Sequence, residues 1–386
     1  MTGERKSGRD AVFVGGGVIG LACAWRAARA GADVCVLERD RPAAGATGVA
    51  AGMLAPVGEA SWGEENLLEL NFESLRRWPE FAGQLEREAG LEVGFERCGA
   101  LHVALDRDEA EELRRRYELH RSLGLDSDWL AGGECRRLEQ GLATAIRGGA
   151  HVSGEATVDP RKVVAALLSA LDHRGVDVLT GAEVVGAERR DGAWRVEARD
   201  GRTFVTRSVV LAAGSWSGQA RWLPAPPPVR PVKGEVLTLR GSAGDPVCQG
   251  IVAGERVYMV PRRDGRLIVG ATVEERGFDT TVTAGGVHEL LREAYRVIPE
   301  ISELELVEAS AGLRPGSPDN APLIGPGGAE GLLIATGHFR NGVLQAPVTA
   351  DSVTALLSGE SAPVDLGPFS PLRFSHSAAD APAEVA

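Results

Sequence analysis

The stretch from Ala11 to Glu38 constrains the fold of this chain more than any other part of the sequence. Ala11–Val14 is a short, β-branched and apolar run, and Asp33–Leu37 carries a second one. Between them lie Gly15-Gly16-Gly17-Val18-Ile19-Gly20, which fits G-x-G-x-x-G, and the Ala/Leu/Arg-rich stretch Val18–Ala30, which predicts a helix. A strand, a glycine turn, a helix and a second strand form the βαβ unit that binds dinucleotides.

Each predicted contact of this unit has a physical reason. Gly15 permits the tight turn, Gly17 lets the backbone approach a pyrophosphate, and Gly20 lets helix and strand pack closely. The N-terminus of the helix adds unpaired N–H groups and the positive end of its dipole. Glu38 stands 23 positions after Gly15, where its carboxylate can accept hydrogen bonds from both ribose hydroxyls and would repel a 2′-phosphate. The unit therefore favours FAD or NAD over NADP.

Composition argues against several classes of function. Among 386 residues, 42 Lys+Arg and 54 Asp+Glu give a net charge of −12, which is unfavourable for binding nucleic acid or anionic membranes. The 5 cysteines include no C-x-x-C pair, so we expect neither a disulfide framework nor a zinc site. We find no signal peptide and no apolar run long enough for a membrane span, and we expect a cytoplasmic protein. The length suggests two domains.

Further helices and strands follow along the chain. The predicted helices are 66–88, 106–123, 159–173, 287–298 and 343–357, and the predicted strands are 176–179, 208–213 and 332–335, with antiparallel strands within 229–272. Asp106 and Asp159 are expected to cap their helices. A proline-rich connector at 224–231 indicates a domain boundary. From Ser375 onwards the Ser/Ala/Pro tail is expected to be disordered.

Several further motifs carry a family resemblance. They are Glu38-Arg39 followed by Gly45-Ala46-Thr47-Gly48-Val49-Ala50-Ala51-Gly52-Met53, then Leu211-Ala212-Ala213-Gly214-Ser215-Trp216-Ser217, and Gly337-His338-Phe339-Arg340-Asn341-Gly342. With these motifs, residues 10–360 resemble the FAD-dependent D-amino-acid oxidase family. Tyr258-x-Val260-Pro261-Arg262 and Gly312-Leu313-Arg314-Pro315 make the resemblance most specific to the glycine oxidases of the thiamine pathway.

The resemblance implies that the chain binds FAD. The residues implied to contact it are Gly15, Gly17, Val18, Ile19, Gly20, Glu38, Arg39, Ala46, Thr47, Ala51, Gly52, Met53, Val184, Gly214, Trp216, His338, Phe339, Arg340, Asn341, Gly342, Val343 and Leu344. Sarcosine oxidases attach flavin through a cysteine that follows the Arg-Pro element. Here Cys248 is the last cysteine and precedes that element, so non-covalent FAD is expected.

Some of these residues also suit a flavin on chemical grounds. Thr47 offers a hydroxyl to a phosphate. Asn341-Gly342, before a helix expected to start near Val343, would place N–H donors and a helix dipole where reduced flavin develops negative charge. For His338 taken alone, filling of the core is the alternative.

An amino-acid oxidase has to hold a carboxylate, and the planar guanidinium of arginine binds one through two hydrogen bonds. By resemblance Arg314 is that clamp, and the Tyr258 hydroxyl bonds the same carboxylate. The alternative for Tyr258 is a buried aromatic ring with a satisfied hydroxyl. Met53 is implied to line the substrate pocket, although methionine often only fills the core. Arg340 is implied to support the mouth of the site, and no metal is expected.

The implied reaction moves a hydride from the substrate Cα to the flavin, and O2 is reduced to H2O2. The imine would hydrolyse to glyoxylate and ammonia or pass to thiazole synthesis. No acid–base dyad emerges from the sequence, and the chemistry relies on positioning. Two alternatives stay open: an oxidase or dehydrogenase of a D-amino acid or a larger secondary or cyclic amine, and a flavoprotein without turnover.

Three residues depart from the family pattern. Val273 stands where the resemblance leads us to expect a larger methionine. The smaller valine would widen the substrate pocket. Arg256 and Val257 differ from the polar pair expected before the tyrosine. These departures leave the identity of the amine open.

The predicted fold class is α/β, with a Rossmann-like FAD-binding domain and an interleaved, mainly antiparallel α+β substrate domain. The FAD-binding domain is predicted from residues 10–85, 150–225 and 310–362, and the substrate domain from 86–149 and 226–309. The expected partners are a small amino acid and O2, without nucleic acid or a membrane span. The resemblance also implies a homo-oligomer such as a tetramer.

Overall fold

The computed structural model describes residues 8–60 and 62–374. Within these residues the seven α-helices are α1 (Val18–Arg29), α2 (Glu65–Ala89), α3 (Arg107–Ser122), α4 (Gly132–Leu138), α5 (Pro160–His173), α6 (Ala284–Val297) and α7 (Ala346–Leu357). No helix in this part of the chain is both long enough and apolar enough to cross a bilayer. The tail predicted to be disordered, residues 375–386, lies outside the described residues.

The same residues form nineteen β-strands. They are β1 (Arg9–Val14), β2 (Val34–Leu37), β3 (Met53–Leu54), β4 (Glu96–Arg97), β5 (Ala100–Ala104), β6 (Asp128–Ala131), β7 (Gly148–Val152), β8 (Ala156–Thr157), β9 (Asp177–Leu179), β10 (Val184–Arg190), β11 (Ala193–Ala198), β12 (Thr203–Leu211), β13 (Arg230–Arg240), β14 (Ile251–Ala253), β15 (Tyr258–Pro261), β16 (Arg266–Gly270), β17 (Glu305–Gly316), β18 (Leu323–Pro326) and β19 (Leu332–Thr336). They are arranged in two large sheets and one small sheet.

The first large sheet contains the predicted dinucleotide-binding unit. Six of its eight strands run in the order β10-β11-β12-β1-β2-β9, β19 also pairs with β12, and β18 pairs with β19. β1 lies parallel to β2 and β12, with Val12 opposite Cys35 and Val209. Because the carboxyl ends of parallel strands meet at one edge, the loops that follow β1, β2 and β12 lie together.

Helices α1, α2, α5 and α7 contribute to one core with this sheet. Its largest side chains are aromatic: the ring centroids of Trp25 and Phe81 are 5.0 Å apart at 85°, and those of Trp78 and Phe81 are 5.3 Å apart. Such edge-to-face pairs stabilise a core beyond the area that they bury. This packing fixes the start of α1 beside the glycine turn.

The second large sheet is mainly antiparallel, in the order β17-β13-β16-β15-β14-β5-β7-β6. β13 pairs with both β16 and β17, and the latter pairing places Val232 opposite Arg314. Helix α6 packs on this sheet, where Leu290 and Val297 join Met259 in a separate core. The sheet therefore positions β15 and β17, the two strands that carry the predicted substrate-binding side chains.

A small sheet, β3-β8-β4, ties the glycine-rich loop after β2 to the middle of the chain. In it Met53 lies opposite Thr157, which also pairs with Glu96. Met53 therefore has a fixed place in the small sheet, at the end of the glycine-rich loop.

Most predicted elements are present with small shifts at their ends. The helix predicted at 159–173 is observed as α5, and Asp159 caps it by accepting a hydrogen bond from Arg161 N at 2.9 Å. Asp106 caps α3 by accepting from Glu109 N at 3.0 Å. Two helix starts were misplaced by three residues: the helix predicted from 287 begins at Ala284, and the helix predicted from 343 begins at Ala346. Pro347 lies in the first turn of the latter, a position that suits a residue without an N–H.

The two large sheets draw on alternating stretches of chain, and the α/β fold class is confirmed. Strands of the first sheet come from 9–37, 177–211 and 323–336, and those of the second from 100–152 and 230–316. The boundary that we predict at residue 310 falls inside β17, which pairs with β13 from Glu305 to Gly316. This strand lies wholly in the second sheet.

Candidate active site

A cleft of about 530 Å³ is lined by residues of both large sheets. The predicted site residues that line it are Gly15, Gly17, Val18, Ile19, Glu38, Arg39, Ala46, Thr47, Ala51, Gly52, Met53, Val184, Gly214, Trp216, Tyr258, Arg314, His338, Phe339, Arg340, Asn341, Gly342 and Val343. The fold thus brings the predicted cofactor and substrate residues to one place. Gly20 and Leu344 are the two predicted residues that do not line the cleft.

Gly20 and Leu344 serve the packing around the cleft instead. A Cβ on Gly20 would lie 2.0 Å from the carbonyl oxygen of Gly15, so only glycine lets α1 come this close to the turn. The side chain of Leu344 is in the core, and its carbonyl accepts hydrogen bonds from Ser74 Oγ at 2.6 Å and Trp78 Nε1 at 2.9 Å. Leu344 therefore lies behind the loop that faces the cleft.

The glycine turn after β1 forms one wall of the cleft. Gly15 has a φ of 116°, and a Cβ there would lie 2.4 Å from the Ala212 carbonyl oxygen. A Cβ on Gly17 would meet only Thr47 Oγ1, at 3.5 Å. Gly15 is therefore required by the fold, whereas the missing side chain of Gly17 leaves a cradle beside the N-terminus of α1.

Glu38 and Thr47 are both held by backbone N–H groups of this wall. The Glu38 carboxylate accepts from Gly16 N at 2.6 Å and from Asp40 N at 2.8 Å. The Thr47 hydroxyl oxygen accepts from Val18 N at 3.1 Å, so it caps α1 and keeps its own proton for another acceptor. This arrangement fixes an acceptor for ribose hydroxyls and a donor for a phosphate.

A stack of three side chains covers the end of the cleft near Glu38. The guanidinium of Arg39 lies over the Trp216 ring at 4.5 Å, and the centroids of Trp216 and Phe278 are 5.5 Å apart. Phe278 belongs to the second large sheet's segment between β16 and α6. The cover therefore joins the two sheets across the cleft.

The turn after β12 is fixed by hydroxyl groups. Gly214 has a φ of 54°, in the left-handed region that favours glycine. Ser215 Oγ donates to the Leu313 carbonyl at 2.8 Å, and Ser217 Oγ lies 2.8 Å from Thr336 Oγ1. These bonds hold the turn between β17 and β19, where Gly214 lines the cleft.

The loop after β19 contains residues 337–342, which resemble the carboxy-terminal FAD motif of the family, and it forms another wall of the cleft. Phe339 has a φ of 47°, unusual for a residue other than glycine, and its N–H donates to the Pro315 carbonyl at 3.0 Å. Asn341 is buried. Because α7 begins at Ala346, its dipole starts further from Asn341-Gly342 than we predicted, and the Asn341 N–H donates to the His338 carbonyl at 2.9 Å.

His338 is mainly a core residue. It is 2% exposed, its Nε2 lies 3.0 Å from Thr349 Oγ1, and burial lowers its pKa to about 3. The ring is therefore neutral at physiological pH, and its contact with Thr349 joins the loop to α7. This geometry fits the alternative that we gave for His338, that the side chain fills the core.

Arg314 reaches the cleft from β17 and is held by backbone carbonyls. Its Nη1 donates to the Thr272 carbonyl at 3.1 Å and to the Lys233 carbonyl at 3.3 Å. A Cβ on Gly234 would lie 2.3 Å from the same Nη1. Because one guanidinium nitrogen is bound to protein, the group has a fixed orientation and retains donors for a carboxylate.

Tyr258 stands beside Arg314 at the end of β15. Burial raises the pKa of the Tyr258 hydroxyl above its ordinary value, and the neighbouring Arg314 charge opposes this shift. A Cβ on Gly270 would lie 2.4 Å from the Tyr258 hydroxyl oxygen. The ring therefore packs over a glycine of the adjacent strand, and its protonated hydroxyl is available as a donor.

Met53, Arg340 and Arg262 complete the substrate side. Met53 packs with Tyr258 in a small apolar cluster beside the cleft. Arg340 pairs with Glu59 at 2.9 Å, and both line the cleft. Arg262, at the end of the tyrosine motif, donates to the Ala51 carbonyl and so holds the glycine-rich loop in place.

The three residues that depart from the family pattern do not line this cleft. Val273 is 67% exposed and is absent from the lining, so its small size does not widen the pocket. Arg256 and Val257 do not line it either. Instead, Phe278 and Thr280 line the cleft from the same segment as Val273. The expectation that Val273 sets the pocket size is therefore corrected.

Sequence reasoning missed Gly234, Gly270, Glu59, Phe278 and Thr280. The Arg314 side chain packs against Gly234, and the Tyr258 ring packs against Gly270. These contacts become visible only when the pairing between strands is known. Glu59 is the salt-bridge partner of Arg340, which we predicted at the mouth of the site, so an acidic partner could have been expected there. Nothing in the local sequence distinguishes Phe278 or Thr280.

The residues present fit FAD. Gly17 leaves a backbone cradle at a helix start, Glu38 presents a fixed acceptor, and residues 338–343 line the same cleft. Within residues 8–60 and 62–374, no cluster of His, Cys, Asp and Glu could hold a metal ion.

The fold and the cleft define a flavin-dependent oxidoreductase. Residues 10–356 match the model of the FAD dependent oxidoreductase family, DAO, and the chain belongs to this family. FAD is the family's cofactor.

The relatives narrow the class further. The chain is 34% identical over 369 residues to the glycine oxidase of Geobacillus kaustophilus, covering 94% of this chain and 97% of that enzyme. The crystal structure of glycine oxidase from Geobacillus kaustophilus matches with a TM-score of 0.89 at 33% identity, covering 95% of this chain and 99% of that one. The chain is 36% identical over 371 residues to the bifunctional protein ThiO/ThiG of Synechocystis, covering 95% of this chain but 54% of the relative. It thus spans about half the length of such bifunctional relatives.

Proposed function

We propose that this protein is an FAD-dependent oxidase of glycine or another small amino acid with a primary or secondary amine. The overall reaction converts glycine, O2 and water to glyoxylate, ammonia and H2O2. The observation that carries the proposal is the pairing of Arg314 with Tyr258 at the end of a cleft whose other end fits a dinucleotide. A flavoprotein that only binds FAD has no use for a fixed carboxylate clamp.

The substrate carboxylate would bind the free donors of Arg314 and the Tyr258 hydroxyl. The Thr272 and Lys233 carbonyls fix the arginine, so little side-chain entropy is lost when substrate binds. Met53 and Val236 add an apolar surface, which excludes water from the Cα–H bond. Positioning of this kind supplies a large part of the rate of reactions between two bound groups.

When bound, FAD supplies the chemistry, accepting a hydride from the substrate Cα and passing two electrons to O2. Its dinucleotide would lie against Gly15, Gly17, Glu38 and Thr47, and the loop at 337–343 would face its ring. We propose that it is held without a covalent bond. Cys98, the cysteine nearest the small cluster with Met53 and Tyr258, is a free thiol whose pKa is raised by burial, so it is a poor nucleophile.

The resemblance and the relatives named ThiO/ThiG support a role in supplying the imine of glycine to thiazole synthesis. We also propose a cytoplasmic homo-oligomer, such as a tetramer. Light scattering on the FAD-loaded protein measures the oligomeric state directly, and a monomer would contradict that part of the proposal.

Anaerobic reduction of the purified protein tests the proposed reaction. The protein should be yellow, and glycine should bleach the flavin absorbance, which returns on admission of O2 with H2O2 formed. Sarcosine and D-proline, tested in parallel, decide whether a larger amine is preferred. If none of the three bleaches a flavin-loaded protein, the proposed function is wrong.

A further inference from the structure

A charged cluster is buried directly behind the strand on which Arg314 rests. Lys233 and Glu235 are both 0% exposed, and Lys233 Nζ lies 2.8 Å from Glu235 Oε1 and 3.5 Å from Glu274 Oε1. Lys233 and Glu235 are removed from water, whereas Glu274 is 21% exposed. Burying two charges is costly unless their geometry is excellent. None of the three residues lines the cleft, so the cluster takes no direct part in binding.

The strand β13 alternates in a way that connects the cluster to Arg314. In a strand, neighbouring residues face opposite sides, so Lys233 and Glu235 lie on one side and Gly234 on the other. Arg314 occupies the side of Gly234, where a Cβ would lie 2.5 Å from its Nη2. The tripeptide Lys233-Gly234-Glu235 thus has the charge cluster behind it and the arginine in front.

The carbonyl oxygens that hold Arg314 belong to residues that the cluster fixes. The Lys233 carbonyl accepts from Arg314 Nη1 at 3.3 Å and from Glu274 N at 2.9 Å, and Lys233 N donates to the Glu274 carbonyl at 2.8 Å. The second acceptor is the carbonyl of Thr272. Its hydroxyl accepts from Glu235 N at 2.9 Å and donates to Glu274 Oε1 at 3.0 Å. Both acceptors therefore belong to residues that are hydrogen-bonded to members of the cluster.

The cluster also anchors the far end of the segment 272–283. Glu235 Oε1 accepts from Thr283 N at 3.0 Å and from Thr283 Oγ1 at 3.2 Å, at the residue that caps α6. Phe278 and Thr280, which line the cleft, lie between the two anchored ends. One buried lysine with its two carboxylates thus locates the arginine and one wall of the substrate side.

We propose that Lys233 is a positioning residue for substrate carboxylate binding: its ammonium, with Glu235 and Glu274, fixes the carbonyl groups that orient Arg314. The inference rests on the proposed function for the role of Arg314. It predicts that loss of the ammonium weakens carboxylate binding while the flavin environment and the chemical step are retained.

Lys233→Met in the FAD-loaded enzyme tests this prediction. The probe is acetate, which binds as a carboxylate and is not oxidised, titrated through its perturbation of the flavin spectrum. We expect its Kd and the KM for glycine to rise at least about tenfold, while kcat at saturation changes less than about threefold. Lys233→Arg should restore most of the affinity, because it returns the positive charge.

Glu293→Gln is the matched control for general destabilisation. Glu293 is a buried carboxylate on α6 that pairs with Arg296 at 2.7 Å and Arg292 at 2.9 Å, without contact to the cluster. It should lower the melting temperature and leave the acetate Kd unchanged. If Lys233→Met leaves the acetate Kd unchanged, or if Glu293→Gln raises it equally, Lys233 has no positioning role.

A second pair of variants covers the case in which Lys233→Met does not fold. Thr272→Val removes the hydroxyl that joins Glu235 and Glu274 but keeps the carbonyl that accepts from Arg314, and Thr272→Ser keeps both. The valine variant should bind acetate more weakly than the serine variant, and equal affinities would overturn the proposal. Acetate binding is independent of turnover, so wild-type protein that binds acetate but fails to oxidise glycine would contradict only the proposed function.

Discussion

The two ends of the cleft are built in different ways. The end that we propose for the cofactor is lined by glycines such as Gly15 and Gly17, which expose backbone. The end that we propose for the substrate is lined by the side chains of Tyr258 and Arg314, which reach in from two strands of the second sheet. A long diphosphate is recognised by N–H groups along a turn, whereas a single carboxylate needs a planar, charged partner.

This difference has a consequence for what each end tolerates. At the proposed cofactor end, an added side chain clashes with backbone at Gly15 and takes up space in the cleft at Gly17. At the substrate end, even a side chain of equal charge changes the geometry of the hydrogen bonds. Variants at the two ends should therefore separate FAD affinity from carboxylate affinity.

The largest effect is expected from Arg314→Lys. Lysine keeps the charge but cannot present two parallel donors, and truncation of a hydrogen-bonded charge pair typically costs about 2–5 kcal/mol. The KM for glycine should rise at least about a hundredfold, with an unchanged flavin spectrum and FAD affinity. Steady-state kinetics and FAD titration measure the two quantities.

Arg240→Lys, at the exposed end of β13, is the matched control and should leave both quantities unchanged. Unchanged kinetics in Arg314→Lys would remove Arg314 from the substrate site. A loss of FAD in the same variant would show that the two ends are not separable.

At the cofactor end, Gly15→Ala should be the most damaging small substitution. The φ of 116° is unfavourable for alanine, and the Cβ would lie 2.4 Å from the Ala212 carbonyl oxygen. FAD should bind at least about thirtyfold more weakly, as measured by recovery of flavin fluorescence on dissociation. In the fraction that retains FAD, the KM for glycine should be close to the wild-type value.

Gly31→Ala is the control that introduces an unfavourable positive φ without bringing the added Cβ close to another atom. Gly31 has a φ of 93°, but a Cβ there would meet nothing within 4 Å. This variant should lose some stability and keep its FAD. Equal loss of FAD in both variants would show that strain alone, and not the approach to Ala212, limits the cofactor end.

The same contrast explains which parts the sequence could predict. The unit Ala11–Glu38 is contiguous, so its strands, helix and turn follow from local patterns, and β1, α1 and β2 are found within two residues of the predicted ends. Asp106 and Asp159 cap their helices as predicted because capping depends on residues only two or three positions apart.

The rest of the site depends on contacts between distant residues. Gly234 and Gly270 have no local signal, since their meaning comes from the side chains of Arg314 and Tyr258 on neighbouring strands. Val273 was expected in the pocket, yet the segment after β16 turns its Phe278 inward instead. The register between strands and the path of a long loop are set by tertiary packing, which periodicity in one sequence does not contain.

A smaller effect, on the pH dependence of stability, is expected from His338, which lies in the core behind the proposed cofactor end. Its pKa falls from an ordinary 6.5 to about 3, so the unfolded chain binds a proton near pH 6.5 that the folded chain binds only near pH 3. The stability that depends on the neutral ring is therefore lost as the pH falls from 6.5 towards 3. Between pH 7 and pH 5 this one group should lower the free energy of unfolding by about 2 kcal/mol.

His338→Gln tests this sign, because glutamine can still hydrogen-bond Thr349 and does not titrate. In urea unfolding of the FAD-loaded proteins, the variant should lose about 2 kcal/mol less than the wild type between pH 7 and pH 5. Its acetate affinity should be unchanged, since the ring bonds Thr349 of α7 and, among the described residues, no hydrogen bond joins it to Arg314 or Tyr258. Identical pH dependence in the two proteins would mean that the pKa of His338 is the same in the folded and the unfolded chain.

The smallest effect is expected from Tyr258→Phe, and it is the most sensitive test of the division between the two ends. The variant keeps the ring that packs over Gly270 and removes one neutral donor, typically about 0.5–1.5 kcal/mol. The KM for glycine should rise about fivefold, with FAD affinity and stability unchanged, and Tyr295→Phe at an exposed position should have no effect. A larger rise would mean that the hydroxyl also orients Arg314, because the pKa of Tyr258 responds to that charge. The two side chains would then act as one unit, and a double-mutant cycle with Arg314→Lys would show coupling.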